Sequence, residues 1–361
     1  MSPQSRDYRL TGPEAEKAAQ KGLISAEWYQ APIPRKRLKQ LIRRKDGPGI
    51  RLNLLWLACL AGLGLAAYLA LGTAWSVLFF VLYGVMYGSA ADSRWHECGH
   101  GTMFKTRWLN DVVYQLASFM MMREPQVWRW SHARHHTDTI IVGHDPEILA
   151  ERPPKLGEML LGLLTVPQTL KAIHGLLYHA CGRLTAEEAT FIPEMERGRI
   201  FLTARIWLLI HACMVGYAIH LSSIVPLLYV GILPTMYGGW LSYLLGITQH
   251  VGLEEDTLDH RANSRTIYMN PVLRFIYSNM NYHLEHHMYP MVPFHALPTL
   301  HEELKPYTPP AYPSTWAAYR EIIPTLLHQC KDPDYCAKRP VGDVSTNETA
   351  AATSTLRPNS R

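Results

Sequence analysis

L52-NLLWLACLAGLGLAAYLALGTAWSVLFFVLYGVMYGSA-A91 runs without one charged side chain and is broken only at Gly72-Thr73. About 40 uncharged residues in a row suit a membrane better than the buried helices of a large soluble enzyme. The Gly-Thr break divides the run into two short spans joined by a tight turn, a helical hairpin in lipid. A second apolar block, from Phe201 to Ile247, carries only Arg205 as a formal charge and is interrupted near Leu221-Ser222-Ser223. It divides in the same way into two spans of roughly 20 residues each. The expected fold is an all-α membrane protein with four transmembrane helices in two hairpins.

Topology follows from charge. Residues 1–50 have neither an apolar signal core nor a small-residue cleavage site, so the N-terminus is expected to stay inside. Arg35, Lys36, Arg37, Lys39, Arg43, Arg44, Lys45 and Arg51 flank the first span, and the positive-inside rule puts them in the cytoplasm. Two crossings then return the chain to that side just before His96, and two more just before His250. The expected organisation is a basic cytoplasmic segment at 1–50, a membrane and catalytic domain at 51–337, and a disordered tail at 338–361. That tail is rich in Thr, Ser, Asn and Ala without apolar periodicity. Both termini are expected to be cytoplasmic.

Between the hairpins, residues 92–200 hold two apolar stretches too short or interrupted to span. Trp108 to Met122 and Leu156 to Leu177 suit either helices lying in the headgroup plane or packing of a cytoplasmic helical cap. After Val251 the chain is polar and rich in proline. The net charge of +5 sits beside the spans instead of alternating with aromatics, which argues for anionic headgroups and against nucleic acid. The six cysteines are scattered, with no C-x-x-C pair, and read as reduced thiols.

Eight of the 18 histidines fall in three clusters, H96-ECG-H100, H132-AR-HH136 and H283-LE-HH287. On a helix, positions i, i+3 and i+4 share a face, so each cluster aims two or three ring nitrogens at one point. Imidazole binds iron, zinc, copper and nickel, and eight such ligands exceed what a single zinc takes. Two metals are implied, with iron the first candidate. His96 and His100 are expected to continue the second span below the lipid, and the helix carrying the third cluster must end near Tyr289 because Pro290 follows. Ligand imidazoles need their other nitrogen held; Glu97, Asp138, Asp145, Glu147, Glu254, Glu255 and Glu285 lie close enough in sequence to do so. His174, His179, His211, His220, His260, His295, His301 and His328 have no cluster and are read as ordinary.

The trio H-x-x-x-H, H-x-x-H-H and H-x-x-H-H, with one hairpin before the first and another between the second and third, resembles the membrane-bound fatty acid desaturase and hydroxylase family. H-E-C-G-H and W-x-x-S-H-x-x-H-H-x-x-T are similar to the acyl-lipid desaturases, whereas acyl-CoA desaturases usually place four residues inside the first box. The resemblance covers approximately residues 50–300. It implies a diiron centre held by His96, His100, His132, His135, His136, His283, His286 and His287. It also implies a ninth ligand where the last span re-enters the cytoplasm, and His250 in T-Q-H-V-G stands there. His144 in G-H-D-P-E is the weaker candidate, more suited to supporting a ligand than to being one.

The expected activity is O2-dependent oxidation of an unactivated C–H bond, most simply desaturation of a lipid acyl chain. Neutral imidazoles leave the charge of two irons largely uncompensated, which favours a strongly oxidising centre. A hydroxylase or ketolase would share the hydrogen-abstraction step, and a small polar metabolite is an alternative substrate. A non-catalytic histidine-rich metal transporter or sensor would line its path with intramembrane ligands, yet the spans hold only His211 and His220. With no flavin, dinucleotide or iron–sulfur motif in the sequence, the two electrons must come from outside, through ferredoxin or a b-type cytochrome.

Overall fold

The computed structural model describes residues 6–24 and 26–340. Among these residues it is helical throughout, with two isolated β-bridges, Thr266 to Tyr282 and Ile267 to Tyr312, and no sheet.

The first hairpin forms as its sequence dictates. Asp46–Leu69 is one helix of 24 residues. At about 1.5 Å per residue it is about 36 Å long, enough for a hydrocarbon layer of about 30 Å. Gly72 adopts a positive φ of 82° in the turn, a conformation that costs glycine nothing. The return helix, Trp75–Gly84, passes through a π turn at Val85–Ser89 into Ala90–Gly99. Leu54, Leu65, Leu69, Trp75 and Val77 face outward, as side chains in contact with lipid do. Inward, Trp56 is fully buried and its indole N–H donates to the Met86 carbonyl at 2.7 Å, tying the two helices together.

The second hairpin is less regular than its hydropathy suggests. Glu194–His220 is a single helix of 27 residues, and the chain turns at Ser222 in a left-handed conformation. The stretch expected to be the fourth span is instead segmented into Val225–Tyr229, Ile232–Gly238 and Trp240–His250. The cause is local: Pro226 and Pro234 lack the amide a helix needs, Gly231 has φ 91°, and a Gly-Gly pair stands at 238–239. Among the described residues three helices are long and apolar enough to cross a membrane: Arg35–Leu69, Trp75–Gly99 and Glu194–His220. Leu156–Gly162 and Val166–Ala180, which meet at 78°, make a fourth if counted as one broken span.

The segmented stretch packs hard on the return helix of the first hairpin. A Cβ built on Gly238 would lie 1.9 Å from the Gly84 carbonyl oxygen, so only glycine admits the contact. Ser89 Oγ donates to the Gly238 carbonyl at 2.6 Å and accepts the Ser242 amide at 2.9 Å. Small residues let backbones approach closely, as is common where helices associate in lipid.

Of the two shorter apolar stretches, Arg107–Met120 is an amphipathic helix. It packs Asn110, Tyr114, Ala117 and Met120 inward while Trp108, Val112 and Leu116, one turn apart, form an exposed apolar stripe. That stripe fits a helix in the headgroup plane. The N-terminal residues do more than supply positive charge. Tyr8 donates to Glu255, whose carboxylate is also paired with Arg6 and Arg152; Tyr29 N–H donates to the Leu258 carbonyl, and Ala31 is buried beside Met288 and Tyr289. The segment straps across residues 255–258 and 288–289. At the other end Lys338 pairs with Glu254 and Arg339 covers the Tyr312 ring. Residues 341–361, the bulk of the expected tail, lie outside the described residues.

Candidate metal centre

The first histidine box continues the second apolar helix: His96 lies in its last turn and His100 caps it, with His100 N–H donating to the His96 carbonyl at 3.2 Å. The second box rides on Pro125–Thr137, which begins where its sequence says it should. Pro125 takes the first helical position, and the Glu124 carboxylate accepts the Val127 amide at 2.7 Å. The third occupies a short helix, His283–Met288, that ends at Tyr289 ahead of Pro290. Glu285 on this helix is fully buried and accepts from Thr266 Oγ1 and His301 Nδ1, which pins the helix from behind. His250 is the last residue of Trp240–His250.

These elements bring nine imidazoles together in two groups. His96, His100, His132, His136 and His286 form one; His135, His250, His283 and His287 form the other; within each, ring nitrogens lie within 4.8 Å of one another. A single box does not aim at a single point. At about 100° per residue, i and i+4 are 40° apart whereas i+3 and i+4 are 100° apart. His132 and His136 therefore serve one group and His135 the other, while His283 and His287 stay together and His286 crosses over. The six histidines of boxes two and three thus interleave.

The donor set fits metal ions. His132 Nε2 lies 3.1 Å from His100 Nε2 and 3.2 Å from His136 Nε2, and His136 Nε2 lies 3.1 Å from His286 Nε2. In the second group His283 Nε2 is 2.9 Å from His250 Nε2 and 3.0 Å from His287 Nε2. A metal about 2.1 Å from two nitrogens holds them about 3.0 Å apart at a right angle and about 3.4 Å apart at a tetrahedral one. Hydrogen bonds alone do not account for the first group, because one proton on His136 Nε2 cannot serve both neighbours. Nδ1 of His96, His136, His283 and His286 and Nε2 of His96 are buried without a hydrogen-bond partner among the described residues.

Four rings are held from behind. His132 Nδ1–H donates to Glu147 at 2.9 Å, His135 Nδ1–H to Asp145 at 2.8 Å, and His250 Nδ1–H to the Asn263 carbonyl at 2.8 Å. His287 Nδ1 meets Thr139 Oγ1 at 3.2 Å, whose own hydroxyl proton goes to the His135 carbonyl. Each bond places the proton on Nδ1 and leaves the Nε2 lone pair facing the centre. Burial, followed by the neighbouring rings, pushes His100, His136, His283, His286 and His287 well below the ordinary imidazole range. They are neutral, the form that binds metal. Burial works against charge on His135 and Glu147 as well, but Asp145 wins at His135 and raises it, and His132 holds the Glu147 carboxyl down at about 2.

Of the seven acids near the boxes in sequence, only Asp145 and Glu147 touch a grouped histidine. Glu97 is engaged by Thr102 and the Phe294 amide, Glu254 by Lys338, Glu255 by Arg6 and Tyr8, and Asp138 by Arg134. His144 stands apart from both groups, between Arg134 and the Ala15 carbonyl. The backbone and hydroxyl partners, Asn263 and Thr139, carry no sequence signal of their role. His260, expected to be ordinary, is buried with its ring 5.2 Å from that of His287 and stacked on Trp28.

Helices apolar enough for a membrane, one of which runs into the first histidine box, together with nine clustered imidazoles, fit a membrane protein with a metal-binding site. The profile of the fatty acid desaturase family matches residues 72–319, and the chain belongs to that family. Family membership makes it an oxidoreductase. It is 23% identical over 299 residues to a Delta(9) fatty acid conjugase-like enzyme of Dimorphotheca sinuata, covering 71% of this chain and 78% of that one. To the chloroplastic omega-3 fatty acid desaturase of Glycine max it is 26% identical, over 68% of this chain and 58% of the relative. To the temperature-sensitive sn-2 acyl-lipid omega-3 desaturase (ferredoxin) of Arabidopsis thaliana it is 24% identical, over 67% and 60%.

Proposed function

We propose that this protein is an O2-dependent oxidase that binds one iron ion with His96, His100, His132, His136 and His286 and a second with His135, His250, His283 and His287, and that it desaturates an acyl chain of a membrane lipid. The observation that carries the reading is the pair of imidazole groups, largely buried, in which five Nε2–Nε2 separations fall between 2.9 and 3.2 Å. The family and the names of its relatives supply the chemistry.

When bound, the two irons supply the oxidising power to remove two hydrogens from adjacent methylenes. With O2, two external electrons and two protons, the products are one double bond and two waters. Everything else is the work of this chain. Asp145, Glu147, Asn263 and Thr139 keep the imidazoles in the Nδ1–H tautomer and hold each ring at its angle. Glu285, through Thr266 and His301, keeps the third box from rotating. The first box continues an apolar helix, so in this reading a lipid chain reaches the site from the bilayer. In this reading four crossings, the last of them segmented, place both termini and the site on the cytoplasmic side, and a ferredoxin or b-type cytochrome supplies electrons there.

Two measurements test the reading. Protein purified from cells grown with iron should hold two irons per chain, and lipids from expressing cells should gain a double bond absent from control cells. Zinc in the place of iron, or one metal per chain, overturns the metal assignment. A new hydroxyl in place of a double bond moves the assignment to hydroxylase.

A further inference from the structure

The N-terminal strap brings one large aromatic side chain to the back of the histidine cluster. Trp28 is partly exposed, and its indole lies parallel to the His260 imidazole, with centroids 4.2 Å apart and planes 7° apart. His260 is buried, and its ring is 5.2 Å from that of His287. Trp28 Nε1–H also donates to the Thr137 carbonyl at 3.0 Å, in the residue directly after His136. One surface indole is thus joined to a histidine of each group: to His287 through the stacked His260 ring, which is tilted 44° against that of His287, and to His136 by a hydrogen bond and one stretch of backbone.

We propose that Trp28 and His260 form the entry route by which a reduced one-electron carrier protein passes electrons to the metal pair. The inference rests on the metal-dependent oxidase reading above. Electron tunnelling weakens exponentially with the gap between conjugated groups, so rings in van der Waals contact carry it far better than the same distance through aliphatic side chains or water. Each passage takes one electron from the carrier, leaving it oxidised by one, and delivers one to the centre. Two passages supply the two electrons of a turnover, and Trp28 and His260 finish unchanged. The second aromatic approach is poorer: Trp95 lies 5.7 Å from His132 and meets Trp128 edge-on at 87°. The Arg123 guanidinium covers both indoles at 4.6 and 4.7 Å.

The test is anaerobic stopped-flow reduction of the iron-loaded, membrane-reconstituted protein, with reduced plant-type ferredoxin and reduced cytochrome b5 as probes and dithionite as a small reductant. Amplitude counts loaded centres and the rate constant reports transfer, so partial iron loss in a variant does not hide the answer. Trp28→Leu, and Trp28→Met with closer volume, should slow the limiting rate at saturating carrier by roughly tenfold or more. Trp28→Phe should retain most of it, and reduction by dithionite should be unchanged in all three. An unchanged limiting rate in the Leu and Met variants overturns the route, and so does a slower rate seen only below saturation, which would make Trp28 a docking contact. Wild-type protein that accepts electrons from neither carrier also overturns it. If wild-type protein binds no iron, the oxidase reading fails first and by a separate observation.

Discussion

Asp145 offers the sharpest test of how the second of the two proposed metal sites is built. Its side chain is buried, and three donors converge on it: His135 Nδ1–H at 2.8 Å and the Ile140 amide at 2.7 Å on one oxygen, and the Glu147 amide at 2.8 Å on the other. Asp145→Ala orphans all three. At about 1–3 kcal/mol per buried unsatisfied donor, the loss is about 3–9 kcal/mol, comparable to the whole stability of a typical domain. The loop from 138 to 147 should lose its structure, and with it Glu147, the partner of His132. Asp145→Asn is milder and more informative. Its one carbonyl oxygen can face His135 and Ile140, which leaves only the Glu147 amide orphaned, at about 1–3 kcal/mol. His135 keeps its tautomer but loses the charge behind it, and a loss of that kind lowers metal affinity about 10- to 100-fold. Iron per chain under competition with a chelator, alongside the thermal midpoint, measures both terms. The expected order is wild type above Asn above Ala. Wild-type iron affinity in Asp145→Asn would refute the idea that a charged acceptor behind His135 matters.

Four further outcomes are expected. His250→Ala should lower iron content as much as the loss of a box histidine, because its Nε2 is 2.9 Å from that of His283; full iron retention would remove it from the site. Gly238→Ala forces a methyl against the Gly84 carbonyl and should cost about 1–3 kcal/mol or more, whereas Gly216→Ala, with nothing within 4 Å, should be neutral or stabilising by up to about 1 kcal/mol; paired thermal midpoints decide. Cys181 and Cys213 are both exposed, but Cys213 lies within the long helix Glu194–His220, so a membrane-impermeant maleimide should label Cys181 from the cytoplasmic side and Cys213 from neither. Burial lifts the Glu124 carboxyl to about 7, above its unfolded value of about 4.3. The folded state therefore binds the proton more tightly, and the stabilisation is complete below about pH 4.3 and lost as pH rises through about 7, on the order of 4 kcal/mol in all. Glu124→Gln, which cannot ionise, should flatten the midpoint's fall between pH 5 and 8, and an unaltered slope would contradict this.

Hydropathy and histidine spacing carried the local information. An uncharged run with one Gly-Thr break has few solutions in lipid, so the first hairpin was legible from Leu52 to Ala91. Pro290 marks a helix stop through covalent geometry that no tertiary contact can override. The spacing i, i+3, i+4 marked the three boxes as donor sets, and the family resemblance, which implies a ligand where the last span re-enters the cytoplasm, pointed to His250. Spacing could not say which imidazole belongs with which. That division depends on how the helices of boxes two and three face each other, and the 100° between neighbouring positions sends His135 and His136 to different groups. Hydropathy averages also pass over the prolines and glycines that segment residues 225–250, since backbone geometry and side-chain polarity are separate properties. Orienting partners were hardest to see: Asn263, Thr139 and Trp28 come from distant positions, and only folding brings them to His250, His287 and His260. Proximity in sequence nominated seven acids where the packing uses two, because a carboxylate turns to whichever donor the fold presents, be it Arg6, Lys338 or Thr266.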